Sequence, residues 1–124
     1  MNKQVIISAS ILLVFLFICL NSCNKKVVPE LTTFEVTDIT IYTATCGGTI
    51  LDEGSSPVIS LGVCWNTETE PDISDFKTSE MAGVSEFSSS LRGLLRGTKY
   101  YVRAYAVNDE GIGYGNEVTF TTLP

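Results

Sequence analysis

A chain of 124 residues, 44% hydrophobic and 18% charged with 10 glycines, suffices for one globular domain plus a short extra segment and leaves no room for a second domain. Eight basic residues against 14 acidic ones give a net charge of −6, and no basic cluster interleaves with aromatics, so nucleic acid is excluded as an expected partner. There is no histidine, which removes the commonest general base and the commonest metal ligand; neither a catalytic centre, nor a metal site, nor a cofactor is expected.

The chain opens with one positive charge at Lys3 and an almost unbroken apolar run from Val5 to Leu20. That run is short for a bilayer span and right for the apolar region of a signal peptide. Leu20-Asn21-Ser22-Cys23 follows and looks like a lipobox, with an aliphatic residue three before the cysteine and a small one just before it. The expectation is a signal peptide over 1–22 and lipidation of Cys23, with a plain secretory signal or an uncleaved anchor as the simpler alternatives. Cys19 is a poor rival because Ile18 before it is too large for that position. Residues 23–28 then read as a short tether, polar at Asn24-Lys25-Lys26 and ended by Pro29. A lipid there makes the membrane the first expected partner, and an outer-membrane lipoprotein of the cell envelope the expected location, with the leaflet open.

Over 29–124 the chain is a series of short alternating segments separated by turn signals, the pattern of an all-β sandwich. Phe34 to Ile39 is expected as the first strand. Thr43 to Leu51 is the second, with Ala44, Cys46, Gly48 and Ile50 on one face. After the turn Asp52-Glu53-Gly54-Ser55-Ser56-Pro57, the run Val58 to Trp65 places Ile59, Leu61, Val63 and Trp65 on its inward side and Cys64 on the other. The loop carrying Glu68, Glu70, Asp72 and Asp75 lacks the alternating pattern of a calcium loop and reads as solvated. Phe76 to Met81 is a candidate edge strand, and Glu86 to Leu91 the next, with Phe87, Ser89 and Leu91 together. A central strand runs from Gly97 to about Val107, with Tyr100, Val102, Ala104 and Ala106 on one side and Tyr101, Arg103 and Tyr105 on the other. Tyr114 to Thr122 is the last, giving about seven strands in two sheets.

The stretch Leu94-Leu95-Arg96-Gly97-Thr98-Lys99-Tyr100 with Val102 and Ala104 resembles the strand corner of fibronectin type III domains, which implies that the Tyr100 hydroxyl bonds back to the corner's backbone. Gly62-Val63-Cys64-Trp65, Tyr100 to Ala106 and Tyr114 to Thr122 are similar to the fibronectin type III-like modules of bacterial surface lipoproteins. One departure is visible. Many such domains carry a core tryptophan on the second strand, where this chain has Gly48, so Trp65 on the third is expected to fill that space.

Cys46 and Cys64 have opposite parities on strands that the resemblance assigns to opposite sheets, so both are expected as free thiols. Ser88, Ser89 and Ser90 have only Arg92 and Arg96 near them in sequence, and neither can act as a base. What remains for recognition is the outward row Tyr101, Arg103 and Tyr105, together with Asn108, Asp109 and Glu110 in the following turn. Cross-strand pairing is the plain alternative for that row. These features imply a noncatalytic binding, adhesion or spacer module with a protein or glycan ligand. The alternative is a fimbria-like structural subunit that assembles by strand pairing.

Overall fold

The computed structural model describes residues 25–124, so the expected signal segment and Cys23 lie outside the described residues. Eight strands form two antiparallel sheets: β1 (Glu30–Thr33), β2 (Ala44–Asp52), β3 (Ser60–Asn66), β4 (Phe76–Lys77), β5 (Glu86–Leu91), β6 (Lys99–Asn108), β7 (Gly111–Tyr114) and β8 (Val118–Thr121). One sheet has the order β1-β2-β5 and the other β4-β3-β6-β7, with β8 also on β6. Their facing sides supply the core: Leu31, Ala44 and Cys46 from β1 and β2, Phe87 and Leu91 from β5, and Leu61, Val63, Trp65, Tyr100, Val102, Ala104, Ala106, Val118 and Phe120 from the second sheet. Burying one face of each sheet is the main favourable term that offsets the entropy of ordering the strands.

The expected Phe76 to Met81 strand forms only over Phe76–Lys77, and β3 starts at Ser60, leaving Ile59, expected inward, 62% exposed. Two further boundaries differ from expectation for identifiable reasons. The first strand lies before Phe34, because Leu31 and Thr33 point inward against β2, while the segment after Thr33 leaves the sheet and makes only one isolated bridge, Thr37 to Thr45. Asp38 there adopts a left-handed φ of 51°, which ends extended structure. The last expected strand, Tyr114 to Thr122, forms only over β8 and at Tyr114, where a separate strand β7 that begins at Gly111 ends. Between β7 and β8 the Thr33 hydroxyl takes the N–H of Ala104 (2.9 Å), and Asn116 Oδ1 takes the N–H of Thr33 (2.9 Å). A side chain from β1 therefore sits where ladder bonding to β6 would otherwise continue, and the strand must step around it.

Gly48 explains the missing tryptophan of the second strand. A Cβ there would lie 2.5 Å from the Thr32 carbonyl oxygen and 2.9 Å from Ala104 Cβ, so the two sheets meet on small residues at this point. Trp65 enters the core from β3 and stacks on Phe76 with ring centroids 6.1 Å apart. Tyr100 stacks on Phe120 at 5.6 Å, and its hydroxyl accepts the Leu95 N–H at 2.8 Å. That bond closes the corner expected from the sequence.

Candidate functional site

The outer face of the second sheet carries the row Tyr101, Arg103 and Tyr105, and the structure covers most of it. The 66–80 segment leaves β3, runs over this face and returns along the β3 edge, where Thr78 N–H reaches the Val63 carbonyl (2.9 Å) and Glu80 N–H the Leu61 carbonyl (2.8 Å). Tyr105, expected outward and free, is 1% exposed, and its hydroxyl donates to the Thr78 carbonyl. Burial pushes its phenol pKa up. Arg103 donates from Nε (2.9 Å) and Nη2 (2.7 Å) to the Pro71 carbonyl and lies 4.1 Å from the Tyr114 ring centroid. Tyr114 in turn accepts the Ile73 N–H at 3.1 Å. These three side chains hold the crossover down; of the expected row, Tyr105 is buried, Arg103 is half-buried and spent on the crossover, and Tyr101 is half-buried with Lys99 Nζ 5.2 Å from its ring centroid.

The β6–β7 turn is also different from expectation. Asn108 is buried, and it joins three segments: Nδ2 donates to the carbonyls of Val27 and Glu53 (both 2.9 Å), while Oδ1 accepts the N–H of Glu110 (2.9 Å) and Gly111 (3.2 Å). All of its amide capacity in this pocket serves the scaffold, so its role is to fix the turn. Asp109 is exposed and its N–H donates to Ser56 Oγ at 3.1 Å. The expected tether is already tied to the body at Val27, whose N–H and carbonyl both bond to Ser55.

The acidic loop is built from its own hydrogen bonds. Asp72 Oδ1 accepts the N–H and hydroxyl of Ser74, which hold its carboxyl below the usual range, and Asp75 accepts from Asn66 Nδ2 and the Asp72 N–H. Ser89 gains a carboxylate neighbour that sequence proximity did not show: its hydroxyl donates to Glu80 Oε1 (3.0 Å) and accepts from Thr78 Oγ1 (2.8 Å). Ser89 is itself buried, so this chain of bonds pins the open edge between the two sheets.

Cys46 and Cys64 are free and sit on different sheets, Cys46 on β2 and Cys64 on β3. Cys46 faces the core and donates to the Phe34 carbonyl at 3.3 Å; Cys64 sits beneath the crossover, 3.5 Å from the Pro71 carbonyl. Burial pushes both thiols up to about 11. The expected result is that neither alkylates in the native protein at about pH 8 while both label after denaturation, as mass spectrometry would read. Because the folded thiols hold their protons more tightly than unfolded ones, this contribution to stability is complete below about pH 9 and lost as pH rises toward 11. A linked Cys46–Cys64 peptide from unreduced protein would show the strand faces to be misassigned.

No family model matches the sequence, and no curated protein matches it in sequence. Solved structures do match. The fibronectin type III domain of human collagen XX superposes with a TM-score of 0.57 at 17% identity, covering 77% of this chain and 92% of that one. The fibronectin type III domain of human fibronectin type III domain containing protein 3 gives 0.52 at 20%, covering 82% and 89%. The chain has a fibronectin type III-like fold. The sensor domain of the anti-sigma factor RsgI4 from Pseudobacteroides cellulosolvens shares it, with a TM-score of 0.56 at 15% identity over 77% of this chain and 94% of that domain. Within the fibronectin type III-like frame, the first expected recognition face is occupied by the protein's own 66–80 segment. Surface available for a partner therefore lies at the two poles and on the outer side of the β1-β2-β5 sheet, where Thr45, Ser88 and Ser90 point outward.

Proposed function

We propose that this chain is a lipid-anchored, noncatalytic protein of the cell envelope, whose fibronectin type III-like domain acts as a binding, adhesion or spacer module. The observation that carries the reading is Leu20-Asn21-Ser22-Cys23 at the end of an apolar run, directly before a segment that locks into the domain at Val27. Such a sequence delivers a folded module to a membrane surface on a short leash. The module reading is supported by the buried Ser89 and by Asp72, Asp75 and Glu80, whose hydroxyl and carboxylates are spent on holding the crossover and the sheet edge together. An outer-membrane site is part of this proposal; the lipobox fits it, and the leaflet is left to experiment.

Cys23→Ala is expected to move the protein from the membrane fraction to the soluble fraction, read by fractionation and by loss of the lipid mass increment. Retention of the variant in membranes with Cys19 intact would overturn the lipoprotein reading.

One observation favours the alternative of a strand-pairing subunit. β5 ends its sheet and, over Glu86–Leu91, contains neither proline nor lysine, the residues that usually discourage edge pairing. Sedimentation over a range of concentrations separates the two: a strict monomer favours the module, and a growing oligomer the subunit.

A further inference from the structure

The domain has two unlike poles, and the tether decides which of them faces the membrane. Val27 is held on both sides of its peptide group, with its N–H on Ser55 Oγ (3.0 Å) and its carbonyl accepting from Ser55 N–H (3.0 Å) and Asn108 Nδ2 (2.9 Å). Four extended residues span at most about 14 Å, so a lipid on Cys23 keeps the β2–β3 and β6–β7 turns close to the headgroups. This step rests on the lipoprotein reading. The anchored pole exposes Asp52, Glu53 and Asp109, with Lys25 and Lys26 of the tether beside them.

The opposite pole carries different chemistry. Leu95 is 65% exposed although both backbone groups of the residue are bonded: its N–H goes to the Tyr100 hydroxyl (2.8 Å), and its carbonyl accepts from Thr122 Oγ1 (2.6 Å). Gly97 N–H, bonded to the Leu123 carbonyl at 2.9 Å, locks the same loop from its other end. Tyr42, 54% exposed, is attached to this loop through the bond from Leu94 N–H to its carbonyl (3.0 Å). Arg92 and Arg96 flank Leu95, both exposed, on a chain whose net charge is −6. A leucine held outward on a rigid loop loses little freedom when covered, and tyrosine and arginine are the residues that most often carry binding energy.

We infer that the pole formed by Tyr42, Arg92, Leu95 and Arg96 is the docking surface for an acidic protein segment that brings its own aliphatic side chain to Leu95. Charge complementarity selects the acidic partner, because the two arginines outnumber Asp38, which lines a groove with Arg92, and leave this pole positive on an acidic body, where it attracts carboxylates and disfavours cations. Leu95 favours a protein segment, whose aliphatic side chain it can cover, over a glycan, which could use only the Tyr42 ring here. A second copy anchored in the same membrane is a poor occupant, because its anchored pole is held at the headgroups.

The test uses the lipidated full-length product in phosphatidylethanolamine vesicles, with a random peptide library as the probe. Enriched peptides are expected to combine Asp or Glu with Leu, Ile or Val. They should bind about tenfold or more weaker to Arg92→Glu/Arg96→Glu and to Leu95→Asp, a loss of about 1.4 kcal/mol or more. The side chains are exposed, so unchanged urea midpoints are the folding control; if Leu95→Asp unfolds, the arginine pair alone decides. No enrichment, enrichment of basic peptides, or binding indifferent to the folded variants would overturn the proposal. A headgroup quencher separates this from the anchoring step: a dye on Ser56→Cys should be quenched and one on Leu95→Cys spared. Quenching at Leu95 overturns the orientation, whereas chains that never bind vesicles sink the lipoprotein reading and leave the peptide result to judge the pole.

Discussion

Trp65→Ala is expected to lower the unfolding free energy by about 3–5 kcal/mol, read as a fall in the urea midpoint. The side chain is 6% exposed and belongs to the core, so its truncation leaves a cavity among residues already packed there. A domain of this size has roughly 5–15 kcal/mol in all, so the variant would retain little margin. Phe76→Ala is the comparison, because Phe76 stacks on the same indole but is 73% exposed and should cost less than about 1 kcal/mol. A Trp65→Ala loss no larger than that of Phe76→Ala would mean that the indole does not replace the missing tryptophan of β2.

The next largest expected effect belongs to Tyr100→Phe, which keeps the ring on Phe120 and removes only the hydroxyl. The Leu95 N–H then loses its acceptor at 2.8 Å. The cost is on the order of 1 kcal/mol, rising to about 3 if that N–H stays dry. Tyr101→Phe is the internal control: its hydroxyl faces the outer side, and its loss should change stability by less than about 0.5 kcal/mol. Urea unfolding of both variants decides, and the opposite ranking would reverse the faces of β6. Loosening of the Leu95 loop in Tyr100→Phe would also weaken peptide binding at that pole more than stability, since pre-organisation is what the corner supplies there.

The sequence by itself determined the sandwich, the inward list of β6 and the corner at Tyr100. Those features are local: alternation with period two assigns a face within one strand, and Gly97, at a φ of 58°, is the kind of residue a tight corner requires. The lipobox is local in the same sense, and remains a matter of the sequence. Alternation cannot say whether a second face is covered, and this is where the structure decided. Tyr105 and Cys64 are buried because the 66–80 segment crosses the outer face and is clamped through Pro71 by Arg103, 32 residues further on. Asn108 looked like a loop tip residue, yet its amide joins Val27, Glu53 and its own turn, contacts separated by as many as 81 residues. The break in the last expected strand had the same origin, one Thr33 hydroxyl from the far end of the chain entering the β6 ladder. Each of these outcomes depends on where a remote backbone group needs a partner, and that requirement exists only once the two sheets have packed.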